Sequence, residues 1–300
     1  MSVFLYVMMI FAWGFSWIAI KWQDATVAME VSILYRFALA ALCMFAIGLI
    51  TKKLQKVTLA QHKFIAAQGV CLFCCNFLAF YSATHYIPSG LAAVVMASIP
   101  VFNALHGKFF YQTPTSANFW LGVLVGLSGI SLLFGGELIQ TAWSLQTLTG
   151  LGFALLGTWC FSIGNMLSIR NSRNKVQPFT ATSYAMLYGC LALLLIIFIR
   201  GLEFKFNTEL KYFASLLYLA VPASVIGFTG YLVLVDRIGA NNASYLLVIT
   251  PIVALIVSSF YESYQWTHYS SIGLVLVVLG NILTQLKKPV FSSNAVVAQS

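Results

Sequence analysis

The chain has 300 residues, 60% of them hydrophobic and only 8% charged, with a formal net charge of +9 and a mean hydropathy of +0.90. A soluble domain carries roughly 25% charged residues, so water is not the main solvent of this fold. The basic excess lies between apolar runs rather than on one aromatic-studded face, which argues against a nucleic-acid surface and reads as a membrane orientation signal.

Apolar runs bounded by charge and turn residues predict an all-α integral membrane protein with ten helices, near 3–20, 30–50, 64–83, 87–110, 118–135, 148–168, 179–199, 212–234, 240–261 and 269–286. The first run lacks a basic leader and a small-x-small cleavage site, so it reads as helix one and not as a removable signal. It carries Trp13, Ser16 and Trp17, and the depth of Trp13 suits a cavity wall as well as core packing. Arg36 lies about two turns into helix two; its stem can snorkel to the outer interface, or its guanidinium can bind a carboxylate. Helix three holds Cys71, Cys74, Cys75, Asn76 and Tyr81. All six cysteines of the chain sit in apolar runs, where a thiol packs as a small hydrophobe, and no spacing brings four metal ligands together.

Helix four carries Pro100, and Asn103 and His106 are three residues apart on one of its faces. Helix five has a small-residue face of Gly122, Gly126 and Gly129, matched in helix ten by Gly273 and Gly280, so these faces are expected to meet each other or a second copy of the protein. Trp159 and Asn165 lie in helix six, Tyr218 and Pro222 in helix eight, and Tyr245 and Pro251 in helix nine. Intramembrane polar side chains face the bundle interior, either as glue between helices or as substrate contacts. A mid-helix proline removes a backbone donor and kinks the chain, so Pro100, Pro222 and Pro251 are candidate hinges. Residues 289–300 are polar and small and are expected to be a disordered tail.

With ten spans, the inner connections hold Lys52, Lys53, Lys56, Lys63, Arg170, Arg173, Lys175, Arg237, Lys287 and Lys288, against Lys21, Arg200, Lys205 and Lys211 outside. That bias puts both termini in the cytoplasm of a multi-pass inner (plasma) membrane protein. A shift of 151 positions pairs Ile87 with Ile238, Pro100 with Pro251, Phe109 with Phe260, Gly122 with Gly273 and Gly129 with Gly280 without a gap. A shift of 146 pairs Trp13, Phe15 and Ser16 with Trp159, Phe161 and Ser162. The halves are therefore 1–136 and 148–288; five spans in each make the repeat inverted, an arrangement suited to alternating access.

The run Ala12-Trp13-Gly14-Phe15-Ser16-Trp17-Ile18-Ala19-Ile20-Lys21 resembles the opening of EamA-type proteins of the drug/metabolite transporter superfamily. Leu34-Tyr35-Arg36-Phe37 is similar to that family's helix-two arginine motif, and Ala240 to Glu262, with Thr250-Pro251 at its centre, to its helix nine. The first-half counterpart of Glu262 is Tyr111, where the family often has a glutamate. The resemblance implies ten helices, cytoplasmic termini and transport of an amino acid or related metabolite, with export the expected direction.

Together these readings nominate Trp13, Ser16, Trp17, Arg36, Asn76, Tyr81, Asn103, His106, Trp159, Asn165, Tyr218 and Tyr245 as substrate-contacting residues, with no cofactor and with a small molecule and the bilayer as partners. Asp24, Glu30, Glu137, Glu203, Glu209, Asp236 and Glu262 all fall at helix ends or in loops, so a carboxylate proton relay at mid-membrane is not expected and His106 is the one deep titratable candidate. Paired acids, a His cluster or a nucleophile with its base are missing, which weighs against an embedded enzyme; a passive channel fits a self-contained inverted repeat less well than a carrier does.

Overall fold

The computed structural model describes residues 2–23, 27–112, 117–141, 145–231, 246–262, 264 and 266–285. Among them there is no strand. The helices are α1 (Ser2–Gly14), α2 (Ser16–Lys21), α3 (Met29–Ile50), α4 (Leu59–Gly69), α5 (Asn76–Tyr86), α6 (Ser89–Met96) and α7 (Ile99–Tyr111), then α8 (Ala117–Thr141), α9 (Leu145–Arg173), α10 (Pro178–Arg200), α11 (Leu210–Tyr218), α12 (Leu246–Tyr261) and α13 (His268–Gln285). π-helical turns at Val70–Cys75 and Leu219–Ile226 continue α4 into α5 and extend α11. Among the described residues seven stretches are long and apolar enough to cross a membrane, and Ala117–Leu133, Ile249–Tyr261 and His268–Leu283 are shorter apolar helices. The expected disordered tail and Tyr245 lie outside the described residues.

Local chemistry sets the helix ends. Thr58 and Gln61 form a capping box that starts α4, and Pro178 opens α10, where its missing donor costs nothing. Gly201, with a φ of 61°, ends α10 in the left-handed conformation that glycine adopts without strain. The connection after α3 locks onto the one after α9. Gln55 donates to the Lys175 carbonyl at 2.9 Å and accepts from the Gln177 amide at 2.9 Å.

Expectation and structure differ most in helix four. The sequence suggests one kinked span over 87–110, but α6 stops at Met96 and α7 restarts at Ile99. The Ala97 and Ser98 amides turn back to Ala93, Val94 and Val95, and Pro100 falls at the start of α7 rather than mid-helix. Proline is tolerated there because the first amides of a helix lack intrahelical partners.

The helices pack in pairs: α13 on α8, α5 on α9, α10 on α3 and α12 on α6. Between α8 and α13 the glycine faces meet within the chain. A Cβ on Gly129 would lie 2.6 Å from the Gly273 carbonyl oxygen, and one on Gly280 would lie 2.6 Å from the Gly122 carbonyl oxygen. Following α8 forward thus means following α13 backward, so the two helices run antiparallel. Large apolar side chains such as Leu42, Ile50, Phe198 and Phe260 point outward, as a hydrocarbon solvent requires.

Glu262 ties the end of α12 to the start of α6. Its carboxylate accepts from the Ser89 amide at 2.9 Å, the Ser89 hydroxyl at 2.6 Å and the Ser258 hydroxyl at 2.5 Å. It fills the role of a helix N-cap from another segment. Glu262→Ala is expected to destabilise the protein by about 2 kcal/mol, read as a lowered unfolding midpoint in detergent; an unchanged midpoint would show that the cap carries no stability. Tyr111, its first-half counterpart, is anchored differently: it donates to the Met166 carbonyl at 2.8 Å, and Arg173 stacks on its ring.

Candidate substrate cavity

A cavity of about 100 Å³ lies where α1, α2, α3, α5, α9 and α12 converge beside the break between α6 and α7. Six residues nominated from the sequence line it: Trp13, Ser16, Trp17, Arg36, Asn76 and Pro251. Packing holds each in place. Trp13 donates its indole N–H to the Ala223 carbonyl at 3.0 Å, and its ring rests on Phe228 and Tyr231. That approach depends on Gly227, where a Cβ would sit 2.5 Å from the indole nitrogen. Trp17 meets Phe80 edge-on, with centroids 5.0 Å apart. Asn76 donates to the Gly157 carbonyl at 2.9 Å, joining α5 to α9.

Arg36 is buried instead of snorkelling, with 3% of its surface exposed. Its Nε donates to the Ser224 hydroxyl at 3.2 Å, and the guanidinium carbon stands 4.4 Å from the Phe77 ring centre. Tyr81 lies beside the guanidinium and donates to Gln23 Oε1 at 2.6 Å. It lines a second recess of about 380 Å³ that also contains Glu30, Arg200 and His85, where Glu30 and Arg200 form an ion pair.

The π-helical turn around Pro222 is what makes these contacts available. Ser224 donates to the carbonyl five residues back, Leu219, at 2.8 Å, so the wide turn presents one hydroxyl to Arg36 and the Ala223 carbonyl to Trp13. Wide turns of this kind recur at functional sites. Pro251 lies inside α12, next to Thr250, whose hydroxyl donates to the Leu246 carbonyl at 2.8 Å.

Four nominated residues gather elsewhere. His106 Nδ1 and the Ser162 hydroxyl are 2.8 Å apart, Ser162 donates to Asn103 Oδ1 at 2.8 Å, Asn165 approaches the same oxygen at 3.5 Å, and Trp159 packs on the His106 ring. This is a polar seam between α7 and α9. Tyr218 donates to the Ala12 carbonyl at 2.9 Å and fastens α11 to α1, away from the cavity wall.

The wall also includes Phe77, Phe80, Met96, Phe161, Phe228 and Thr250, which the sequence reading did not nominate. A signal for two of them was present: Phe77 and Phe228 coincide under the same 151-residue shift that pairs Pro100 with Pro251. Among the described residues no group of three or more His, Cys, Asp or Glu side chains could hold a metal ion, and the six cysteines are free thiols.

The sequence profile of the EamA-like transporter family matches residues 1–135 and again residues 148–286. Similar proteins include the uncharacterized inner membrane transporter YedA of Escherichia coli, 27% identical over 71% of this chain and 67% of its own length. The uncharacterized transporter sll0355 of Synechocystis is 30% identical over 66% of this chain and 65% of its own. Protein PagO of Salmonella typhimurium is 24% identical over 93% of this chain and 91% of its own. One protein of known crystal structure superposes with a TM-score of 0.66 over 94% of this chain and 95% of that one at 16% identity, which shows a shared fold.

Proposed function

Because the chain belongs to the EamA-like transporter family, we propose that this multi-pass membrane protein is a secondary carrier. It moves a small metabolite of amino-acid size across the inner membrane by alternating access between two inverted five-helix halves. The observation that carries the reading is the cavity itself, walled by residues of both halves, from Trp13 and Arg36 to Phe161 and Pro251. Irregular helices border it: the break at Ala97–Ser98, the π-helical turn at Leu219–Ile226 and the proline inside α12. In a membrane such backbone is tolerated only where protein or a water-filled cavity surrounds it.

Two features support the inverted repeat. The π-helical turns Val70–Cys75 and Leu219–Ile226 overlap under the 151-residue shift and end at the same matched position. The antiparallel seam pairs Gly129 with Gly273 and Gly122 with Gly280, so each glycine of α8 faces the counterpart of the other.

Saturable counterflow of a labelled substrate in proteoliposomes tests the carrier; flux that never saturates would indicate a channel. Export is the proposed direction, and the sidedness of flux in oriented vesicles reads it. The proposed orientation, with cytoplasmic termini, predicts that single cysteines placed at Asn174 and Gln140 in a cysteine-free background are labelled from the inside and the outside respectively. Labelling of both from one face would overturn the inverted repeat.

A further inference from the structure

We propose that the cavity takes its substrate by a carboxylate held at Arg36, and that it selects compact monoanions with an apolar body over neutral isosteres and cations. This rests on the cavity being the substrate site of the proposed carrier.

The starting point is an unbalanced charge. Arg36 remains ionised in proteins, and here it is 3% exposed. Its Nε donates to the Ser224 hydroxyl, the Tyr81 hydroxyl lies beside the guanidinium, and its Nη1 has no hydrogen-bond partner. No carboxylate among the described residues stands within ion-pair distance of it. Among the described residues the other buried charged side chain, Glu30, is paired with Arg200. Burying an ion without a counterion is costly, and an anion arriving beside it offsets that cost.

The stacking against Phe77 and Phe37 holds the guanidinium plane, and a planar fork of donors matches a carboxylate in geometry as well as charge. The remaining walls decide the body of the ligand. The Trp13 N–H is spent on Ala223, so its ring offers an apolar surface, as do Trp17, Phe80 and Phe161. A volume of about 100 Å³ is well below the roughly 300 Å³ at which pockets for drug-sized molecules begin and below the roughly 150 Å³ of a cavity that holds one benzene ring, so the body has to be compact.

The same walls disfavour a positive group. None of the lining residues is acidic; Ser16, Thr250 and Asn76 spend donors on the Trp13, Leu246 and Gly157 carbonyls, so their oxygens offer an ammonium neutral acceptors and no counter-charge. An α-ammonium would find no anionic partner here, so a simple carboxylate is expected to bind better than the matching zwitterion.

Calorimetric titration of the full-length protein in nanodiscs at neutral pH, with benzoate, benzamide, benzylamine and phenylalanine, tests this without variants. Benzoate is expected to bind at least tenfold more tightly than benzamide and benzylamine, with phenylalanine between. Arg36→Lys should weaken benzoate several-fold while keeping its preference over benzamide, and Arg36→Met should bind the two alike. Benzamide or benzylamine binding as tightly as benzoate, or no binding of benzoate and of the smaller isovalerate, would overturn the assignment. Should Arg36→Met fail to fold, the ligand series on the unaltered protein still decides. Carboxylate selectivity without counterflow of any compound would sink the carrier reading and leave this one standing, whereas counterflow of amines alone would do the reverse.

Discussion

Gly280→Leu is expected to lower the unfolding midpoint of the purified protein by about 10 °C or more. The reason is that α13 lies against α8 backbone to backbone: a Cβ at Gly280 would meet the Gly126 nitrogen and lie 2.6 Å from both the Gly122 carbonyl oxygen and the Gly126 Cα. Main chain cannot swing aside as a flexible side chain does, and overpacking a well-packed site already costs about 1–3 kcal/mol. Gly126→Ala provides the control, since a Cβ there meets only the Gly280 Cα at 3.9 Å, and its midpoint should change little. Similar midpoints for Gly280→Leu and Gly126→Ala in detergent would show that the seam is not a close backbone contact. The result also bears on assembly. These glycines are occupied by each other within one chain, so a homodimer through α8 and α13, if formed, has to use other residues of these two helices, and the size of the particle in detergent should not change with Gly126→Ala.

Pro251→Ala is expected to slow exchange by up to about tenfold while leaving substrate affinity within a few-fold. Pro251 sits inside α12 and on the cavity wall, and its missing donor leaves the carbonyl four residues earlier free for a bend. Alanine restores that hydrogen bond, whose net worth of about 1 kcal/mol biases the helix toward its straight form and one facing state. Pro100→Ala should do less, because Pro100 starts a new helix after the break at Ala97–Ser98 and so interrupts no continuous ladder. Binding and counterflow measured on the same purified samples decide the matter. Normal exchange in Pro251→Ala would remove it from the gate, and a loss of folded protein with no selective change in rate would mean that the kink serves packing alone.

The sequence reading placed apolar helices close to where the structure has them, because leaving water is a property of composition summed over some twenty residues. Breaks inside those spans were less legible. Pro251 reads as an internal proline and is one, but Pro100, which the apolar run places mid-helix, follows the end of the preceding helix at Ala97 and Ser98. The π-helical turn at Val70–Cys75 contains no proline at all. It lies where α4 and α5 pack on α9 and α10, contacts that no local pattern encodes.

The repeated Trp-x-Phe-Ser shows the same limit at single residues. Trp13 faces the cavity and its counterpart Trp159 packs on His106, whereas in the second half it is Phe161 that reaches the wall. Composition by itself determined that this is a helical membrane protein, and its motifs showed the resemblance to the EamA-type transporters. Which side chains look inward was decided by tertiary structure alone. A helix that meets lipid on one side and packed apolar neighbours on the other is apolar all round, so it lacks the polar stripe that marks the solvent face of a soluble helix. Close approaches such as those at Gly227 and Gly280, the turn at Leu219–Ile226 and the burial of Arg36 fix how their helices are rotated, and those depend on partners more than a hundred residues away in the chain.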